Sequence, residues 1–179
     1  SFASFGFCKA HAAAFALPTF HSAWLKTHHP AAFLAGILTH DPGMYPKRLL
    51  LDDARSFGIP ILGLDVNAST DTYRIEQVSE PTPDAVEPDA GVPYAGVLDA
   101  VEPAWQRANQ PYGIRLSLAD VKGISAAEVA RVVAGQPYAD LGDFWTRARV
   151  SRPIVERLVL AGAFDSLHGM GDSGLGRRG

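Results

Sequence analysis

Residues 117 to 135, SLADVKGISAAEVARVVAG, leave the backbone few arrangements. Ser117 is placed to cap a short helix, with Asp120 at the third position beyond it, and that helix is expected to end at Gly123. A second helix is predicted to start after Ser125 and run through Glu128, Val129, Val132 and Val133 to Gly135. The outcome is a helix, a tight turn and a helix. In the turn Gly123-Ile124-Ser125, Ile124 is expected to plug the space between the two helices. The small residues on either side let the backbone come close to a ligand. Amides at the start of the following helix suit an anion such as phosphate, and Lys122 adds a point charge beside it. Ser125 can cap the second helix while offering its own amide, yet it restricts backbone angles that glycine would allow. Two readings stay open: a bend that binds the phosphate backbone, and a bend that only packs two helices together.

A related unit follows. Asp140 to Ala148 is predicted to be helical. Arg149-Val150-Ser151-Arg152-Pro153 is a turn with a serine cap and a proline near the next helix start, and Ile154, Val155, Leu158 and Val159 form the next apolar stripe. Two such units in tandem are expected to bury one another as a helix-hairpin-helix module. Its candidate DNA-contacting residues are Lys122, Gly123, Ile124 and Ser125 in the first bend, and Arg149, Ser151 and Arg152 in the second. Contacts of this kind touch the phosphate rail and not base edges, so binding is expected to ignore sequence and to weaken with salt. The cluster Arg147, Arg149, Arg152 and Arg157 suits that role. The plainer alternative is a solvated face in which these arginines pair with Asp143 and Glu156.

Before this module the chain reads as helices. Residues 10 to 29 are predicted to be helical, with Pro18 either kinking the helix or dividing it. Pro30 opens a second helix, in which Phe33, Leu34, Ile37 and Leu38 keep helical spacing. Pro46 to Phe57 is a third, closed by Gly58, with Leu50, Leu51 and Ala54 as its buried stripe. Ile59 to Leu64 and Tyr73 to Val78 are β-rich runs expected to form a small pair, and Tyr112 to Leu116 reads as another strand. Residues 79 to 93 combine proline, acid and small residues that cannot bury enough apolar area to offset chain ordering. The expected fold is therefore mainly α with a few short β-strands, in four stretches. These are a helical segment 1–78, an acidic Pro-rich linker 79–110, a strand plus tandem hairpins 111–167, and a disordered tail 168–179. No internal repeat stands out at a solenoid period.

The net charge of −3 argues against a duplex-binding protein when taken as an average. The average conceals a reversal along the chain. Residues 79–110 hold six acids against Arg107, a net −5, whereas residues 111–179 hold nine Lys or Arg against seven acids, a net +2. An acidic connector thus masks a mildly basic C-terminal module. One cysteine, Cys8, excludes an internal disulfide and fits a reducing compartment, so a cytoplasmic location is expected. No apolar run approaches the ~20 residues needed to cross a bilayer. Ser1 stands where an initiator Met would, and the chain is expected to be an internal piece of something longer.

The opening SFASFGFCKAHAAAFALPTFHSAWLKTHHPAAFLAGILTHD resembles the end of the fingers domain of bacterial C-family DNA polymerases, the DNA polymerase III alpha type. The order Phe5-Gly6-Phe7, Lys9, His11, Ala14, then Trp24-Leu25-Lys26 and His29-Pro30-Ala31 carries that resemblance. IPILGLDVN, YGIRLSLADVKGIS and VERLVLAGAFDSL continue it in order. Cys8 and the wording PAAFLAGILTHDPGMYPKRL look more like the error-prone branch. The resemblance implies a parent nucleotidyltransferase that extends a primer using Mg2+ held by palm-domain aspartates upstream of Ser1, which leaves this piece inactive alone and without a cofactor of its own. It implies primer-template DNA and a deoxynucleoside triphosphate as partners, with a sliding clamp and other replication or mutagenesis proteins meeting the missing regions. Gly6, Lys9 and His11 are then the candidates for the nucleotide or template side, against the plainer reading that they face solvent at a helix start. No catalytic residue and no metal ligand is expected here, since Asp52 and Asp53 sit beside Arg48 and Arg55 and the histidines lack ligand spacing. The competing reading is a stand-alone helix-hairpin-helix repair module without polymerase activity, which accounts for 117–167 but leaves the patterned first 40 residues without a purpose.

Overall fold

A computed structural model describes residues 9–41, 43–78 and 112–169. Gly6, the acidic linker and the last ten residues lie outside the described residues. The chain is mainly helical with one small sheet, as the residue patterns predict. Its elements in order are α1 (Lys9–His28), α2 (Pro30–His40), α3 (Lys47–Ser56), β1 (Ile61–Leu62), β2 (Arg74–Gln77) and β3 (Tyr112–Arg115). There follow a single 3-10 turn (Leu118–Asp120), α4 (Ala126–Gly135), α5 (Leu141–Ala148), α6 (Arg152–Leu160) and α7 (Asp165–Gly169).

α1 runs unbroken across Pro18. A proline removes one i→i−4 hydrogen bond, and the bonds on either side carry the helix past it. None of its residues is buried, and Phe15, Leu17, Phe20, Trp24 and Leu25 all stay exposed. α2 behaves in the opposite way. Ala31, Leu34, Ala35 and Leu38 repeat at helical spacing and are buried, Leu34 at 1% and Leu38 at 0% exposure, each leucine worth about 1.5–3 kcal/mol of transfer free energy. They pack with Ala54 of α3, Ile59, Tyr73 and Ile114 into one of two cores. Gly58, with φ +70°, ends α3 in a left-handed conformation that a side chain would resist.

The sheet differs from the expected pairing. β1 and β2 do not pair with each other; each flanks β3, β1 in parallel and β2 antiparallel. Their shared partner lies far along the chain, and alternation of residue types carries no information about which strand pairs with which. Arg115 locks the register, its Nε and Nη2 donating to the two carboxylate oxygens of Glu76 at 2.9 and 2.7 Å.

The second core belongs to the C-terminal helices. Val129 and Val132 of α4, Phe144 and Ala148 of α5, Ile154, Val155 and Leu158 of α6, and Phe164 surround one another. Phe144 meets Tyr138 and Phe164 edge-on at 4.9 and 5.0 Å, a geometry favoured by the ring quadrupoles. Val66 joins this core from the loop between β1 and β2. The Asn67 side chain donates to Tyr138 O at 2.9 Å and accepts from Tyr138 N at 2.7 Å, and Gln136 Nε2 donates to Val66 O and Ser69 O at 2.8 and 2.9 Å. The polar stretch before β2 is therefore an anchor for the hairpin module, with Ser69 fully buried.

Candidate nucleic-acid interface

The first bend is built around Gly123. Its φ is +83°, and a Cβ added there would lie 2.9 Å from Arg157 Nη1. Only glycine satisfies both conditions easily. Ile124 follows, half-buried against the C-terminal core. Ser125 then takes φ −90° and ψ 154°, extended angles that serine adopts without strain, so the second small residue of the bend has no need to be glycine. Its hydroxyl accepts from Glu128 N at 3.2 Å, the Glu128 carboxylate accepts from Ser125 N at 2.9 Å, and this capping box starts α4.

Upstream of the bend, one 3-10 turn stands where a helix as far as Gly123 was expected. Ser117 caps it by accepting from Ala119 N at 3.1 Å. Asp120 takes no part in that cap, because its carboxylate is turned toward Lys47 and the Tyr73 hydroxyl.

The second bend repeats the backbone course of the first, although Ser151 lacks the side-chain cap bond expected of it, with Ile154 standing where Glu128 completes the box in the first. Arg149 occupies the slot of Gly123 with φ +48°, Val150 occupies that of Ile124 at 7% exposure, and Ser151 occupies that of Ser125 with φ −67° and ψ 147°. An arginine in the left-handed region is strained by roughly 1–2 kcal/mol relative to glycine. Arg131 counteracts that strain from α4: its Nε donates to Ala148 O at 3.2 Å and its Nη2 to Arg149 O at 3.1 Å. The exchange is reciprocal. Arg157 of α6 donates to Lys122 O in the first bend. Arg131 stands six positions after Ser125, and Arg157 six after Ser151, so equivalent arginines close one another's turns.

Glu128 joins the two bends directly. One oxygen accepts from Ser125 N and from Ser125 Oγ, the latter at 2.8 Å, and the other accepts from Ser151 N at 3.0 Å. The Ser125 amide first, and then the Ser151 amide, hold this carboxyl down at about 2. Ser125's own amide is thus occupied by the protein. The amides of Ala126 and Ala127, in the first turn of α4, have no acceptor among the described residues. They lie at the positive end of the helix dipole. In α6, Pro153 removes one donor from the corresponding turn.

The cations divide into two groups. Lys122 and Arg149 are exposed, and no acidic partner lies within ion-pair distance of either among the described residues. Arg152 pairs with Glu156 at 2.9 Å but stays 82% exposed, a pairing that costs little to give up. Arg147 is held by Asp143 at 2.9 Å and by the carbonyls of Pro137 and Gly135. It serves the fold of its own loop. The groove beside the first bend, about 610 Å³, is lined by Ala119, Ile124, Ala126, Val129 and Ala130 with Asp71 as its charged lining residue. No cation lines it.

Elsewhere the expected residues stand apart. Lys9 and His11 are exposed on the first turns of α1, and the His11 ring meets Phe15 edge-on at 4.5 Å. Asp52 pairs with Arg55 at 2.7 Å, and Asp53 pairs with Lys26 at 3.3 Å in place of the expected Arg48. Among the described residues no three His, Cys, Asp or Glu side chains are grouped to hold a metal ion. No described helix is long and apolar enough to cross a membrane. Arg131 and the bridging role of Glu128 escape a reading of the sequence by elements. The signals were present: Ser125-x-x-Glu128 is a capping-box spacing, and the Ser-to-Arg interval recurs in both hairpins.

Residues 58–172 match the family model described as a helix-hairpin-helix motif. The chain is similar to error-prone DNA polymerases. It is 37% identical to that of Symbiobacterium thermophilum over 174 residues, which is 93% of this chain and 15% of the relative. It is 35% identical to that of Nocardia farcinica over 94% of this chain and 12% of the relative, and 34% identical to that of Teredinibacter turnerae over 94% and 14%. The chain spans about one-seventh of the length of these curated relatives.

Proposed function

Since the chain belongs to the helix-hairpin-helix family, we propose that it is the part of an error-prone DNA polymerase that holds duplex DNA by its phosphate backbone without reading bases. The observation that carries this reading is the exposed first bend: left-handed Gly123, the open amides of Ala126 and Ala127, and Lys122, without an acidic partner among the described residues, follow one another within six residues. Arg149 and Arg152 extend the positive surface to the second bend. Similarity over more than nine-tenths of the chain supports the polymerase reading over a free-standing repair module. In the parent enzyme the nucleotidyl transfer and its Mg2+ belong to other polypeptide. Lys9 and His11, with Gly6, face the incoming deoxynucleoside triphosphate or template. Clamp and mutagenesis partners meet other regions, and the cytoplasm is the working compartment.

The test is a mobility-shift titration of the whole chain on duplexes of unrelated sequence at rising salt. Equal affinities that fall steeply with salt are expected, each phosphate contact adding about 0.9 to the log–log slope. Preference for one sequence, or no shift at ~50 mM salt, overturns the proposal.

A further inference from the structure

We infer that Glu128 is a positioning residue for DNA: its carboxylate fixes the two phosphate-facing bends at one separation. This rests on the duplex-binding reading above. Three donors from two hairpins converge on this side chain, Ser125 N, Ser125 Oγ and Ser151 N, at 2.8–3.0 Å. Ser125 alone would make it an ordinary helix cap. Ser151 belongs to the other bend, twenty-three residues away, so the same carboxylate that starts α4 also pins the start of α6. The equivalent position in the second hairpin is Ile154, buried in the core at 1% exposure. One acid therefore serves both bends and has no counterpart to replace it.

The consequence for binding is geometric. Phosphates along a duplex are regularly spaced, and two bends held at one separation meet two of them together, so the second contact follows without a further loss of freedom. Charge alone predicts the reverse effect for a Glu128 variant. A carboxylate beside a phosphate-binding surface repels DNA, and its removal should tighten binding. The sign of the change thus separates positioning from bystander charge.

The experiment compares the whole chain with Glu128→Ala, Glu128→Gln and, as a charge control, Glu156→Gln on ~20-base-pair duplexes of unrelated sequence across a salt series. Glu128→Ala is expected to bind about 5- to 10-fold more weakly, with the log–log salt slope smaller by about one as one bend loses its phosphate. Glu128→Gln, which keeps an acceptor for one bend only, is expected to fall between, and Glu156→Gln to bind slightly more tightly. Backbone amide spectra confirm that the core around Phe144 and Leu158 stays folded; should Glu128→Ala unfold, Glu128→Gln decides. Binding by either folded Glu128 variant as tight as that of the parent, or tighter, overturns the positioning role while leaving duplex binding intact. Failure of the unmodified chain to bind any duplex removes the underlying reading and this role with it.

Discussion

Lys47 Nζ lies 2.6 Å from Asp120 Oδ1, tying the start of α3 to the turn that leads into the first bend. The other carboxylate oxygen accepts from the Tyr73 hydroxyl, and Tyr73 is itself buried at 7% exposure. Desolvation, followed by the Asp120 hydrogen bond and charge, pushes the Tyr73 phenol above the ordinary tyrosine range. Lys47 and Tyr73 thus meet on this one acid from separate stretches of the chain. Asp120→Ala is expected to destabilise the chain by about 1–3 kcal/mol in urea unfolding, because a buried hydroxyl loses its charged acceptor. In the parent, the raised phenol favours the neutral fold. Stability should hold below the ordinary tyrosine value of about 10 and decline as pH climbs beyond it. Tyrosinate absorbance of the folded chain should show Tyr73 ionising later than in Asp120→Ala, and coincident curves would contradict the link.

Gly123→Ala places a Cβ against Arg157 in a left-handed backbone. A loss of about 1 kcal/mol or more is expected, together with weaker binding to every duplex as Arg157 is displaced from Lys122 O. A stability unchanged in thermal unfolding would show that the bend tolerates a side chain.

Arg149→Gly should separate stability from binding. Glycine relieves the left-handed strain at φ +48°, so the melting temperature should hold or rise. DNA affinity should fall, with the salt slope reduced by about one, since an exposed cation is lost from the second bend. Both quantities falling together would assign Arg149 a role in packing.

Glu128 makes an acid-range prediction. Its folded value of about 2 lies below the ordinary 4.5, so its contribution is complete above 4.5 and is lost as pH falls toward 2. Amide resonances of Ser125 and Ser151 should shift together through one midpoint near 2. Separate midpoints would mean that the two bends do not share this carboxylate.

Much of the module was legible because its signals are local. Gly123 and Gly58 mark left-handed positions, Ser125 with Glu128 marks a helix start, and the helical spacing of Leu34 and Leu38 marks a buried face, which Ala31 and Ala35 complete while Phe33 and Ile37 lie at its edge. Long-range choices were hidden. β1 and β2 both require β3, more than 30 residues further on, and neither run encodes its partner. Asp120 looked like a capping acid because the sequence does not show that Lys47 and Tyr73 wait across the fold. The second bend was legible as a related unit, but not that Arg149 takes the left-handed slot that Gly123 takes in the first. Arg157 reads from the sequence as one of a basic cluster and Arg131 carries no signal of its own, and only the folded arrangement shows each reaching the opposite turn.

That crossing of arginines bears on inheritance. A hairpin excised alone would expose the carbonyls that its sibling's guanidinium covers, at Lys122 in one case and at Ala148 and Arg149 in the other. The doublet is therefore the smallest piece in which each of these carbonyls keeps its cover, and an exchange of sequence falling between Gly135 and Leu141 leaves two halves that each lack one.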